Sequence, residues 1–378
     1  MIFTLKHFNT PLIAFSADAG AEMNIEVTFV NEGKRSLFPL DLQEVSPEGI
    51  QSWLKHRTVP KNRAYVDSIL SSMGLSINRP LDVIRVSKGL SLNDCFWVCP
   101  EGDDSAFDAV NLYDNRFSRV LGQIAFTGYG SSNRSLITSS PEFTTNGTLP
   151  KCWRRESGII KLYKGGTEGA SNTGNEPYSE FYAYQIAKEL GVNAVQYDLA
   201  RWKGRLCSVC ALFTSKEKSF VPVGRIVTRG GLQAVKTFYE SLGPEFVQAF
   251  GEMIVLDAVL FNADRHYGNF GFLVDSESNQ IIAPAPLFDH GNSLFNYAGR
   301  DNLTDEKALL KYASTVLPCV YDQFVGEAKA VMTKEMRSRL RRLLAFEFVK
   351  HSRYNLPEKR LSLIETVVRG RVRELLDL

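Results

Sequence analysis

The chain has 378 residues, 44% of them hydrophobic, and sets 44 Lys plus Arg against 42 Asp plus Glu for a net charge of +2. That length can bury a real core in two or three domain-sized units, and the near-balance of charge excludes a broad electrostatic footprint for nucleic acid or anionic lipid. No run approaches the roughly eighteen apolar residues of a membrane span, and the opening MIFTLKHFNTPLIAF lacks the basic, apolar, small-residue order of a secretory signal, so a cytoplasmic protein is expected.

The first hundred residues mix strand-like runs such as Ile25 to Val30 with helical patterns at Gln51 to His56 and Asn62 to Met73, separated by Pro60. Two helices so closely joined can form a DNA-reading helix-turn-helix. The balanced charge favours an ordinary helical hairpin with Lys55, His56, Arg57, Lys61 and Arg63 as a solvated basic rim. From Gly128 to Pro150 the chain is rich in Gly, Ser, Thr and Asn, the composition of a domain boundary. The division expected is an α/β N-terminal region (1–140), a small β-rich part (141–215) and a large helical part (216–378).

In the small part, a strand is expected near Gly158 to Tyr163, a Gly-rich turn from Lys164 to Asn175, and a helix from Ser179 to Leu190 stopped by Gly191, where a C′ glycine belongs. Strands follow at about Ala194 to Trp202 and Leu206 to Phe213. The second carries Cys207 and Cys210 as a CxxC. With no second CxxC nearby and no βαβ context, and with six cysteines in all, these read as reduced core thiols. Glu245 to Phe261 has apolar residues at helical spacing and reads as a buried helix that delivers the chain to Asn262 and Asp264. The final stretch, Asp305 to Leu378, is patterned as amphipathic helices, with Arg337, Arg339, Arg341 and Arg342 on a solvated face.

The chemistry concentrates in FNADRHYGNFGFLVDSESNQIIAPAPLFDHG, Phe261 to Gly291. Asp264 and Asn269 lie five positions apart, the spacing at which a protein-kinase catalytic loop offers a carboxylate to the acceptor hydroxyl and a neutral oxygen to Mg²⁺. Phe270 to Val274 and Ile281 to Ala283 read as the two strands of a hairpin around Asp275 to Gln280, which brings Asn269 toward Asp289. Asp289 stands in Asp-His-Gly, close to the Asp-Phe-Gly pattern that ligates Mg²⁺. His266 joins the candidate catalytic set by position, with a loop-fixing role, and Arg265 is expected to orient the loop through a carboxylate. Lys161 is placed to meet nucleotide phosphates, with Glu180 as its ion partner.

These residues resemble the HipA-like serine/threonine kinases, toxin components of bacterial toxin–antitoxin modules. Asp264-Arg265-His266-x-x-Asn269 is similar to their catalytic motif and to that of the phosphatidylinositol kinases. Thr144-Thr145-Asn146-Gly147-Thr148-Leu149-Pro150-Lys151 resembles their phosphate loop, Ile159-Ile160-Lys161-Leu162 their ATP-lysine strand, and Glu180-Phe181-Tyr182 their lysine-partner helix. The resemblance spans about Pro141 to Phe295 and does not reach the first hundred residues. It implies a bilobal, kinase-like α+β fold and bacterial cytoplasm as the location, with signal-independent secretion as the alternative. It further implies ATP and Mg²⁺ as cofactors, with Gly147 and Lys151 at the phosphates and Ala211 and Phe213 at an adenine-binding hinge.

The same resemblance implies a protein acceptor carrying serine or threonine, an antitoxin partner, and autophosphorylation at Thr144 or its neighbour Thr145, where the family carries serine. Nucleic acid would be met indirectly. Two alternatives stay open. One is a phosphoinositide or small-molecule kinase with the same centre; the other is a regulator that binds DNA or an antitoxin, with catalysis secondary.

Overall fold

The computed structural model describes residues 1–18, 23–131 and 140–378, so the 132–139 part of the predicted boundary stretch lies outside the described residues. The fold is of mixed α+β class. Two compact units divide it: one comprises Met1–Lys164, Ala211–Val221 and Leu273–Ile282, the other Gly165–Cys210, Pro222–Phe272 and Ala283–Leu378. These units run differently from the three-part division, because the 151–164 strands share a unit with the N-terminal region.

In the first unit, Phe3, Leu5 and His7 alternate inward along β1 (Ile2–His7), the two-residue period of a half-buried strand. This strand pairs antiparallel with β2 (Thr10–Ala17), which also pairs with β3 (Ile25–Val30). With β4 (Phe96–Pro100) they form a sheet of order β3-β2-β1-β4. Phe3, Leu5, Ile13 and Phe15 pack against Ile50, Trp53 and Leu54 of the Pro47–Lys55 helix. Each such side chain contributes about 1.5–3 kcal/mol on burial. That helix starts ahead of the predicted Gln51 because Ser46 caps it, its Oγ accepting from Gly49 N–H at 3.1 Å, with Pro47 at the first position.

Two of the five basic residues expected on a solvated rim are in the interior. Arg57 forks onto Asp94 at 2.8 and 2.7 Å, and Arg63 pairs with Glu142 at 2.5 Å; all four groups are buried. The rim shrinks to Lys55, His56 and Lys61, which also removes charge that a DNA-reading helix pair would need. A second core, with Trp97, Phe107 and Tyr113, takes in Ile160, so the N-terminal region and the following strands share one interior.

Strands Lys151–Glu156 and Ile159–Gly165 form an antiparallel hairpin, with Lys151 opposite Lys164 and Arg154 opposite Lys161. Its two-residue turn, Ser157-Gly158, has φ of 49° and 83°, the left-handed pair that matches the twist of the strands. The predicted hairpin after Asn269 is present at Gly271–Asp275 and Gln280–Pro284. Its turn is closed by Asp275 Oδ1, which accepts from the N–H and hydroxyl of Ser278 at 2.8 and 2.6 Å.

In the second unit, the Glu176–Leu190 helix ends at Gly191, whose φ of 67° suits glycine. Strands Tyr197–Trp202 and Arg205–Ala211 pair antiparallel, and Cys207 and Cys210 are buried free thiols in the latter. The Pro244–Leu260 helix has eleven buried residues and sits inside the unit, as its apolar pattern predicts. The Glu358–Leu376 helix turns Leu361, Ile364, Val368, Val372 and Leu375 inward. Arg339, expected in solvent, instead reaches Glu252 Oε1 at 2.5 Å and Leu190 O at 3.1 Å, with a side chain 13% exposed. Among the described residues, no helix is long and apolar enough to cross a membrane.

Candidate active site

The Pro244–Leu260 helix carries one carboxylate, Asp257, into its apolar end, where it has no exposure. A buried charge must be paired. Its partner is Arg265, as deeply buried, with Nε to Oδ2 at 3.0 Å and Nη2 to Oδ1 at 3.1 Å; Asn262 Nδ2 adds a bond to Oδ1 at 2.8 Å. Burial acts to lower the Arg265 pKa, but Asp257 outweighs it and the pKa is raised, so the guanidinium stays charged.

The remaining donors of Arg265 organise the site. Nη1 donates to Asn269 O at 3.0 Å and to Phe288 O at 2.6 Å, and Nη2 lies 2.9 Å from His290 Nδ1. One guanidinium therefore fixes the end of the buried helix, the far end of the Asp264–Asn269 loop and the Phe288–His290 segment together. The carbonyl of Asn269 and that of Phe288, the residue before Asp289, thus share one cation.

Within the loop, Asn269 Nδ2 donates to Asp264 O at 3.0 Å. Fixing the amide nitrogen there orients Oδ1 as the amide's acceptor for an outside ligand. His266 is exposed, and its Nδ1 accepts from Gly268 N–H at 3.0 Å within the loop. Asp289 has a φ of 56°, in the left-handed region. Its N–H donates to the Tyr197 hydroxyl at 3.2 Å, and the next N–H, of His290, donates to Glu180 Oε2 at 2.8 Å. Burial, then the charges of Glu180 and other neighbours including Asp289, push the Tyr197 pKa well up, so it keeps its proton. Burial and then Asp264 likewise push the Cys319 thiol up to about 11, which excludes it as a thiolate nucleophile at neutral pH.

Within the first unit, Lys161 has a carboxylate neighbour on its own hairpin. Lys161 Nζ meets Glu156 Oε2 at 3.4 Å, and Glu156 also accepts from Tyr163 OH at 2.7 Å. Alternation explains this: Lys161 and Tyr163 share one face of their strand, whereas Ile160, Leu162 and Lys164 share the other. Lys164 is 6% exposed, while the Lys161 side chain is 34% exposed. Sequence reasoning did not single out Lys164, and the parity of Ile160 and Leu162 is the signal that marks its face as the inward one.

Gly224 was missed as well. Val223 and Gly224 donate their N–H groups to Phe270 O at 3.0 Å and Tyr267 O at 2.9 Å, laying this turn directly on the loop. A Cβ on Gly224 would stand 2.7 Å from Tyr267 Cβ and 3.1 Å from Tyr267 O. Gly224→Ala is expected to shift the loop and lower turnover by about 10²-fold, as a misplacement near 1 Å does. The unfolding midpoint should move much less; steady-state kinetics with urea denaturation checks this.

In the first unit, both candidate phosphorylation hydroxyls are engaged. Thr144, buried, donates to Leu90 O at 2.8 Å; Thr145 donates to Pro141 O at 2.6 Å and accepts from Trp153 Nε1 at 3.0 Å. Lys151, also buried, donates from Nζ to Asn146 O at 2.8 Å, bracing its own loop. Gly147, with φ of 90°, could not carry a Cβ without meeting Lys151 Nζ at 2.2 Å. Ala211 is exposed where the chain passes from one unit to the other, and the Phe213 ring stands edge-on to Phe220 at 5.4 Å.

No family model matches the chain. Over 149 residues, 36% of this chain, it is 28% identical to the serine/threonine-protein kinase CtkA of Helicobacter pylori, and it spans a little under half of that relative, 45%. Among solved structures it is similar to the HipA chain of the Shewanella oneidensis toxin–antitoxin complex of HipA, HipB and operator DNA, at a TM-score of 0.57 and 15% identity over 100% of this chain and 99% of that one. The crystal structure of the H. pylori proinflammatory kinase CtkA matches at a TM-score of 0.48 and 18% identity, over 62% and 90% of the two chains. The described residues therefore have a mixed α+β fold similar to that of the HipA chain.

Proposed function

We propose that this homology and fold belong to a HipA-like serine/threonine kinase that transfers a phosphoryl group from ATP, with Mg²⁺, to a protein hydroxyl. The observation that supports it most is the Arg265 junction, which holds Asn269 and the Asp289 segment to the Asp264 loop. Asn269 Oδ1 and the Asp289 carboxylate are hard oxygen donors of the type and number that a phosphate-bound Mg²⁺ takes from protein. The metal–nucleotide would supply the γ-phosphoryl group and neutralise its charge. Asp264 orients the acceptor hydroxyl and takes its proton, while Arg265, Glu180 and Tyr197 hold the loop and the Asp289 turn in place. Lys164, rather than Lys161, is the better candidate for the phosphate-binding lysine, because it lies on the inward face of its strand.

Thr144 and Thr145 would have to surrender the bonds described above before either could accept phosphate. The full-length likeness to a HipA chain solved with HipB and operator DNA supports a second element: an antitoxin partner for this chain, through which any DNA contact would run.

The test is incubation of the purified chain with γ-labelled ATP, a panel of basic proteins and vesicles containing phosphatidylinositol. Label on serine or threonine with Mg²⁺, and its loss on chelation with EDTA, is expected. Label confined to inositol lipid would overturn the protein acceptor, and absence of both ATP binding and transfer would overturn the kinase reading.

A further inference from the structure

The loop Thr144–Lys151 is held by a residue far outside the stretch that resembles the kinases. Arg63, from the N-terminal region, is 2% exposed. Its Nη1 donates to Glu142 O at 2.5 Å with a longer contact to Thr145 O at 3.5 Å, and its Nη2 donates to Glu142 Oε2 at 2.5 Å and to Lys151 O at 3.0 Å. Glu142 in turn accepts the N–H of Trp153 at 2.9 Å, and the neighbouring Ala64 N–H donates to Thr148 O at 2.8 Å.

These contacts decide which way the loop's peptides face. In a trans peptide the C=O and the following N–H point in opposite directions. Arg63 draws in Thr145 O, Lys151 Nζ draws in Asn146 O, and Ala64 draws in Thr148 O. The N–H groups of Asn146, Gly147 and Leu149 are therefore turned away from these anchors, and none donates to a backbone acceptor among the described residues. Asn146 and Gly147 are exposed. Successive outward N–H groups around a left-handed residue make an anion-binding concavity. A buried ion pair is weak as a source of stability, so placement is the better account of Arg63 and Glu142.

We propose that Arg63 and Glu142 are positioning residues that preset the Thr144–Lys151 loop for the phosphates of the nucleotide, which gives the otherwise unassigned N-terminal region a part in nucleotide binding. This rests on the kinase reading above.

The test uses the full chain with Arg63→Met and Glu142→Leu combined, since replacing both members of a buried pair by apolar residues preserves folding far better than removing one. Circular dichroism and a urea midpoint establish the fold; calorimetry measures adenosine, ADP and MgATP. The expected result is unchanged adenosine affinity, ADP and MgATP weakened tenfold or more, and KM for ATP raised more than kcat is lowered. A folded double variant that binds MgATP like the parent overturns the proposal, as does equal weakening for adenosine, which would mark a merely structural role. If the double variant does not fold, Arg63→Lys, whose compact ammonium cannot bridge the same set of acceptors, is held to the same readouts. A parent chain that binds no MgATP overturns the kinase reading itself, an outcome distinct from an unaffected variant.

Discussion

Asp264→Asn is expected to lower phosphate transfer by about 10²–10⁴-fold, the range of a lost general base, while MgATP affinity stays within about twofold. The substitution removes the carboxylate's charge and keeps the backbone groups by which Asp264 joins the loop. Asp264 O accepts from Asn269 Nδ2, and the Asp264 N–H donates to Asn262 Oδ1 at 3.3 Å, both through backbone groups that asparagine retains. The metal donors assigned to Asn269 and Asp289 are likewise untouched. Single-turnover kinetics at saturating ATP, with binding measured separately, gives both numbers. A large loss of affinity with unchanged turnover would place Asp264 in nucleotide binding instead.

Arg265→Lys is expected to destabilise the chain by about 3–5 kcal/mol, the range for breaking a buried pair, and to reduce the turnover of what remains folded. Lysine keeps the charge but not the fork. Arg265 uses three nitrogens to reach Asp257, Asn269 O, Phe288 O and His290, and one ammonium cannot span acceptors that lie in such different directions. Carbonyls and a carboxylate left without donors in the interior are penalised individually. Urea denaturation measures the first effect, and kcat at a temperature where the variant is folded measures the second. Unchanged stability would mean that the junction is ornamental.

How much of this was legible follows from where each signal sits in the sequence. The five-position spacing of Asp264 and Asn269 and the hairpin that follows are local signals, so the hairpin could be placed from the sequence. Arg265 was read as needing a carboxylate; that the carboxylate is Asp257, one helical end away, required knowing how the chain bends at Phe261, whose φ is 52°. The fate of basic residues was the least legible. Arg57, Arg63 and Arg339 look like surface charges until Asp94, Glu142 and Glu252 come close to them, and nothing local announces a partner so distant along the chain.

The lysine strand poses a different problem. Ile159-Ile160-Lys161-Leu162 fits the family's pattern, yet the face of a strand is set by parity. The turn at Ser157-Gly158 fixes that parity so that Lys161 pairs with Glu156, across the same turn. Thr144 and Thr145 are candidates through the family resemblance, and Leu90 O and Trp153 Nε1, which bond their hydroxyls, come from segments outside the motif that carries it.

Asn269 and Asp289 are proposed to serve one divalent ion beside Asp264. Electron paramagnetic resonance of Mn²⁺ bound with a non-hydrolysable ATP analogue, in the parent, Asn269→Ala and Asp289→Ala, tests it most directly. One tightly held ion is expected in the parent, with at least about a tenfold loss of its affinity in each variant, the scale expected for a lost ligand at a site with few protein donors. An ion held with the parent's affinity and spectrum in both variants would contradict it.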